Sequence, residues 1–230
     1  MQDKYAGDIG DFGKFALLRA LAPDRRLGVC WYAVESEVHN NDGRHTAYLA
    51  QPERFRSLDP VVFDALKGKL SDGGPRSIRR LEELGLLPGA VFHGRLVPRS
   101  RSERHIWFQE LRQTIKTCEL VFLDPDNGIS FGASSHKAVA LDEIQALAKD
   151  GHALLVYHHQ GRLKGGASQE YARAVESFRA IGITDAYAVR LRPYSSRFYF
   201  LVNGGGALRD RLQTFARHWG RDKAEFFGPL

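Results

Sequence analysis

The residues best placed for chemistry are those of Asp124-Pro125-Asp126-Asn127-Gly128, because they follow directly on the apolar run Leu120-Val121-Phe122-Leu123. A run this short, rich in β-branched and aromatic residues, suits the centre of a parallel sheet covered on both faces. Ligands of open α/β sheets bind just beyond the carboxyl ends of such strands. Asp124, Asp126 and Asn127 are therefore candidate catalytic residues. The same four residue types, Pro, Asp, Asn and Gly, also build a plain tight turn. A second dense motif is Tyr5-Ala6-Gly7-Asp8-Ile9-Gly10-Asp11-Phe12-Gly13-Lys14-Phe15, just ahead of a helix. Its glycines and the helix N-terminus can bring backbone amides to a ligand. An Asp in such a place is often only a helix cap, which is the ready reading of Asp11; Asp8 is less easily explained that way. The glycine spacing fits neither GxGxxG nor GxxxxGK[ST], so the dinucleotide and P-loop fingerprints are excluded.

Tyr157-His158-His159-Gln160-Gly161-Arg162 is the third cluster. Neighbours on a strand face opposite sides, so the two histidines do not readily share one metal. One of them, at a strand terminus, can point into the same cleft as Asp124. His158 is the candidate for general acid or base work, since an ordinary imidazole titrates near neutrality; a purely structural histidine is the alternative. A competing chemistry is metal-dependent phosphoester hydrolysis, with Asp8, Asp11, Asp42, Asp124, Asp126 and His158 as donors and Lys14, Arg162 and Lys164 neutralising a phosphate. None of these carboxylates has a diagnostic metal spacing.

The elements that must hold these residues alternate regularly in the second half. A strand at 120–124 is followed by a Gly/Ser-rich loop through Ser135 and a helix at 141–149. A strand at 152–159 leads to a helix capped by Ser168, with Tyr171, Val175, Phe178 and Ile181 on one side and Gly182 as its stop. A hairpin then joins 186–191 to 197–202 through Pro193-Tyr194-Ser195-Ser196. A last helix carries the stripe Leu208, Leu212, Phe215 and Trp219. In the first half, a helix at 12–21 and a strand at 27–34 precede a polar stretch whose Asn40-Asn41-Asp42-Gly43 signals a turn. Helical patterns on Val62, Leu66 and Leu70, and on Ile78, Leu81 and Leu84, suggest a helical insertion over residues 52–88. A strand at 90–96 and a helix at 104–118 complete the series. The expected fold is one Rossmann-like α/β domain over residues 1–230: a mostly parallel sheet with helices on both faces, and an antiparallel edge hairpin near the C-terminus.

The chain has 230 residues, 43% hydrophobic and 26% charged, enough for a substantial core. No apolar run is long enough to span a bilayer and the start lacks a signal-peptide pattern, so no membrane partner and a cytoplasmic location are expected. Cys30 and Cys118 read as reduced core residues. The formal charge of +6 attracts polyanions, with basic clusters at Arg95, Arg99, Arg101, Arg104 and His105, at Arg76, Arg79 and Arg80, and at Arg190, Arg192 and Arg197. The first of these reads as an exposed, mobile loop. Solubility alone would explain the same excess.

A terminal hairpin strand set beside parallel strands resembles the class I S-adenosylmethionine-dependent methyltransferases. Within them, Tyr5, Ala6, Gly7, Asp8, Asp11 and Lys14 are similar to the N-terminal signature of the large-subunit ribosomal RNA adenine-N6 methyltransferases of the J type. Asp124-Pro125-Asp126-Asn127 is similar to their fourth motif, in which the first residue accepts a hydrogen bond from the amino group being methylated and an aromatic fourth residue stacks on a flipped base. Here Asn127 stands in the aromatic position. Tyr32-Ala33-Val34-Glu35-Ser36-Glu37 replaces the usual Gly-rich turn after the first strand. The resemblance implies S-adenosylmethionine as cofactor, held by Tyr5, Gly7, Asp8, Asp11, Lys14 and Glu35 or Glu37, and a nucleic-acid acceptor, RNA favoured. The other classes left open are the metal-dependent nuclease or phosphoesterase, using Asp8, Asp124, Asp126 and His158, and a non-catalytic nucleic-acid-binding protein.

Overall fold

A computed structural model describes residues 1–36, 45–132 and 135–229. Asp42 and Glu37, with the turn expected around them, lie outside the described residues. The elements run α1 (Ile9–Leu21), β1 (Leu27–Cys30), α2 (Pro52–Phe55), α3 (Pro60–Ser71), α4 (Ile78–Glu82), β2 (Val91–His93), α5 (Arg101–Ile115), β3 (Leu120–Leu123), β4 (Gly128–Ser130), β5 (Ala138–Ala140), α6 (Leu141–Lys149), β6 (Ala153–His159), α7 (Gly166–Ala180), β7 (Ala186–Leu191), β8 (Arg197–Val202), α8 (Gly205–Trp219) and β9 (Ala224–Phe227).

The central sheet has seven strands in the order β2-β1-β3-β6-β8-β7-β9. Strands β2, β1, β3 and β6 are mutually parallel, and β8 enters antiparallel between β6 and β7. This is the Rossmann-like α/β architecture the alternation of elements predicts. The hairpin is not the edge, however: β9 pairs antiparallel with β7 beyond it. A short parallel ladder of β4 and β5, outside the main sheet, occupies part of the expected Gly/Ser-rich loop. The strand expected at 27–34 ends at Cys30, and the chain rejoins the sheet only through a bridge from Ala33 to Leu96. The helix expected to be capped by Ser168 instead begins at Gly166, after Gly165 at its N-cap and with no side-chain cap.

Strand parity sorts side chains between two cores. Val29, Leu120, Phe122, Leu155, Tyr199 and Leu201 pack with α1, α3 and α8 on one face. Cys30, Val121, Leu123, Leu154, Val156 and Phe200 pack with α5, α6 and α7 on the other. Every described residue of β1, β3 and β8 is buried, as a strand covered on both faces requires. Because β8 runs antiparallel, its first residue, Arg197, lies opposite His159 at the carboxyl end of β6. One rim of the sheet thus gathers the ends of β1, β3 and β6 and the start of β8. Both cysteines are buried and free, and burial pushes each thiol up.

Candidate functional site

The N-terminal motif reaches this rim through two aspartates whose roles are the reverse of those the sequence suggests. Asp8 caps α1: its Oδ1 accepts from the amides of Gly10 at 2.7 Å and Asp11 at 3.1 Å. Asp11 lies in the first turn and folds back, so that its Oδ2 accepts from the Gly7 amide at 2.7 Å. Its Oδ1 accepts from Lys14 Nζ, also at 2.7 Å. The same ammonium donates at 2.7 Å to Asp124 Oδ2, at the end of β3. Asp11, Lys14 and Asp124 are all buried, and Lys14 also lies over the ring of Trp31. Burial alone would push the Lys14 ammonium down, but the carboxylates of Asp11 and Asp124 hold it above the ordinary lysine range. Burial pushes the Asp124 carboxyl up, with Lys14 opposing. Burial also raises Asp8, and Asp11 adds to the effect.

This bridge forms the floor of a cleft of about 780 Å³, within the usual size of a small-molecule site. Tyr5, Asp8, Asp11, Lys14, Asp124, Asp126 and Asn127 all line it. Asp126 accepts from Gln2 Nε2 at 2.7 Å, and the backbone amide of Asn127 donates to the Lys137 carbonyl. The other wall comes from Tyr157, His159, Gly161, Arg162, Ser195, Arg197 and Tyr199. A second groove of about 530 Å³ lies between α1 and α8. Its charges are already spent on the Arg19–Asp59, Arg211–Asp24 and Arg209–Asp210 ion pairs.

Three expected site residues do not line this cleft. His158 points to the opposite face of the sheet from the cleft, toward α7. Its Nδ1 accepts from the Ile129 amide at 3.0 Å, which leaves the proton on Nε2 to be donated to Glu170 Oε1, also 3.0 Å away. Burial pushes this imidazole below its usual range, so it is neutral at pH 7. Its partner in the histidine pair, His159, faces the cleft, and burial together with Arg197 pushes it down as well. Glu35 is exposed and does not line the cleft. Gly7 is not on its wall either; it holds the turn through its positive φ and its bond to Asp11.

Sequence reasoning left out of its site residues His159, Tyr157, Tyr199 and Arg197. Strand parity held part of the signal: Tyr157 and His159 share a face, and so do Arg197 and Tyr199. Several members of the basic clusters are paired within the molecule, while Arg99, Arg101 and His105 are exposed. Arg95 pairs with Glu110, Arg104 with Glu143, Arg79 with Glu83 and Arg80 with Asp72, while Arg190 and Arg192 share Glu225. Arg76 donates to the Ala6 carbonyl. The first cluster is also not one loop, since α5 begins at Arg101.

Among the described residues no group of three or more His, Cys, Asp or Glu is arranged to hold a metal ion. Lys14 occupies the space between Asp11 and Asp124 where a cation would have to sit. No helix of the described chain is long and apolar enough to cross a membrane. No protein-family model matches this chain, and no curated protein does either.

Proposed function

We propose that this protein is an S-adenosylmethionine-dependent methyltransferase-like enzyme whose acceptor is a nucleobase amino group, in nucleic acid and with RNA favoured. The observation that carries the reading is the Asp11–Lys14–Asp124 bridge. It joins, through one buried ammonium, the two separate motifs on which the resemblance rests, at the carboxyl end of a central parallel strand. The antiparallel strand β8 between β6 and β7 is in keeping with the same class of fold.

The cofactor's fit is uneven. Tyr5, Asp8 and Asp126 give the cleft a ring and two carboxylates suited to a nucleoside bearing an ammonium and ribose hydroxyls. The end of β1 does not fit: Trp31, Tyr32, Ala33 and Val34 are buried where a Gly-rich turn would open space, and Glu35 does not line the cleft. The cofactor is therefore placed in the cleft, toward β6 and β8. When bound, it supplies an electrophilic methyl group. Lys14 fixes one oxygen of Asp124, and the other, without a hydrogen-bond partner among the described residues, is left to accept from an acceptor amine. His159, neutral at pH 7, takes the proton such an amine gives up. Tyr157, rather than Asn127, offers the ring for stacking a base. Recognition in this reading rests on the cleft, with the exposed Arg99 and Arg101 as further basic groups on the surface.

The test is titration calorimetry with S-adenosylmethionine, together with transfer of labelled methyl groups to total RNA, on the protein and on Asp124→Asn. Binding should be retained in the variant while transfer falls about a hundredfold or more. Absence of cofactor binding to the unaltered protein, or undiminished transfer by the variant, would overturn the reading.

A further inference from the structure

Arg197 is an anomaly among the arginines. It is 6% exposed and opens a strand in which every residue is buried. Among the described residues it makes no ion pair, and its hydrogen bonding is to Ser195 Oγ through Nη2. By contrast, Arg104, also set deep in the molecule, is bound in a fork by both oxygens of Glu143. The carboxylates of Asp8 and Asp11 are near enough to act on Arg197 through space, but neither reaches ion-pairing distance. A sequestered guanidinium without a counter-ion is costly, and its planar fork matches the oxygens of a carboxylate or phosphate. The chain also makes room for it. A Cβ at Gly10 would come within 2.5 Å of Arg197 Nη1. Arg197 lines the cleft together with His159 and the exposed Arg162.

We infer that Arg197, steadied by Ser195, is an oxyanion seat within the cleft, which binds a carboxylate or phosphate group of the ligand through its guanidinium fork. The inference rests on the reading of this cleft as the ligand site, but not on methyl transfer. Two sources supply the same chemistry: the amino-acid carboxylate of the cofactor, and the phosphate of the acceptor nucleotide.

Calorimetry with inorganic phosphate and with acetate, at matched ionic strength, tests the seat directly on the unaltered protein, Arg197→Gln and Gly10→Ala. The unaltered protein should bind at least one of these anions saturably, and both variants should bind it about tenfold more weakly or worse, as loss of a charge-assisted pair implies. Gly10→Ala crowds the guanidinium without deleting it, and the Asp8 carboxylate 2.8 Å from the new Cβ as well, so Gly10→Ala is paired with Asp8→Asn to separate the two, and the test stands if Arg197→Gln fails to fold. Two matched pairs of probes then separate the sources. If S-adenosylmethionine loses its advantage over 5'-methylthioadenosine in Arg197→Gln, the seat holds the cofactor's carboxylate. If adenosine monophosphate loses its advantage over adenosine, it holds a phosphate. Equal anion binding by all three proteins, or none by any, overturns the inference. Arg197-dependent anion binding without any binding of S-adenosylmethionine would uphold the seat and remove the methyltransferase reading.

Discussion

Replacing Lys14 by Met tests the bridge at the floor of the cleft by its energetics. Lys14 is 4% exposed and its ammonium lies 2.7 Å from both Asp11 Oδ1 and Asp124 Oδ2, so the substitution strands two carboxylates in a buried setting. Breaking a buried pair by removing one partner costs about 3–5 kcal/mol. For a chain of this size each kcal/mol lowers the melting temperature by about 2–4 °C, giving a drop of roughly 6–20 °C. The pH dependence has a definite sign. Burial raises the Asp124 pKa, and without Lys14 the Met1 ammonium is the main charge left to lower it. The folded variant then binds a proton more readily than the unfolded chain, so its deficit is largest near pH 7.5 and shrinks as the pH falls through the raised pKa. Thermal unfolding at about pH 7.5 and about pH 5 measures this, with Lys14→Met/Asp124→Asn as the double variant. Removing the stranded charge should recover part of the loss, with a coupling of about 1–3 kcal/mol. A loss below about 1 kcal/mol, or one that does not change with pH, would show that the three groups are not an electrostatic unit.

Gly128→Ala should destabilise by about 2–5 kcal/mol, because the residue has φ +86° and a Cβ would lie 2.7 Å from the His158 Cα. Gly151→Ala is the control, with φ +93° and open space around its Cβ; equal losses in unfolding experiments would remove the contact from the account. For His158, nitrogen NMR should show Nε2 protonated and Nδ1 bare, with titration below the usual imidazole range. Since the unfolded chain then takes up the proton first, this residue's contribution to stability is lost as the pH falls through the ordinary histidine range; a protonated Nδ1 at pH 7 would contradict the assignment.

The sheet was readable in the sequence wherever strands are covered on both faces, since runs such as Leu120 to Leu123 and Phe198 to Val202 have no other stable setting. β4, β5 and β9 were not: each is only three or four residues long, too short for a period to show, and pairing partners make them strands. Asp124 and the N-terminal motif could be recognised as site material because polar groups crowd the end of an apolar run or the start of a helix. What the motif's members do was less legible. Asp8 and Asp11 are three residues apart and both precede or begin the same helix, so only the position of the Lys14 ammonium separates cap from bridge. Between His158 and His159 the choice depended on which strand face meets α1, a tertiary fact. Arg197 looked like one more surface charge, and its placement depends on β8 lying beside β6, nearly forty positions earlier in the chain.

That strand order also bears on how the molecule comes to work. β7 precedes β8 in the chain yet lies outside it, so the β7–β8 hairpin must dock on β6 through its second strand, a long-range step of the kind that slows folding. Until it docks, the cleft has no Arg197 and no Tyr199, and half its wall is missing. Acquisition of ligand affinity during refolding would thus mark the moment when the last interior strand is seated, giving a kinetic clock for assembly of the whole sheet.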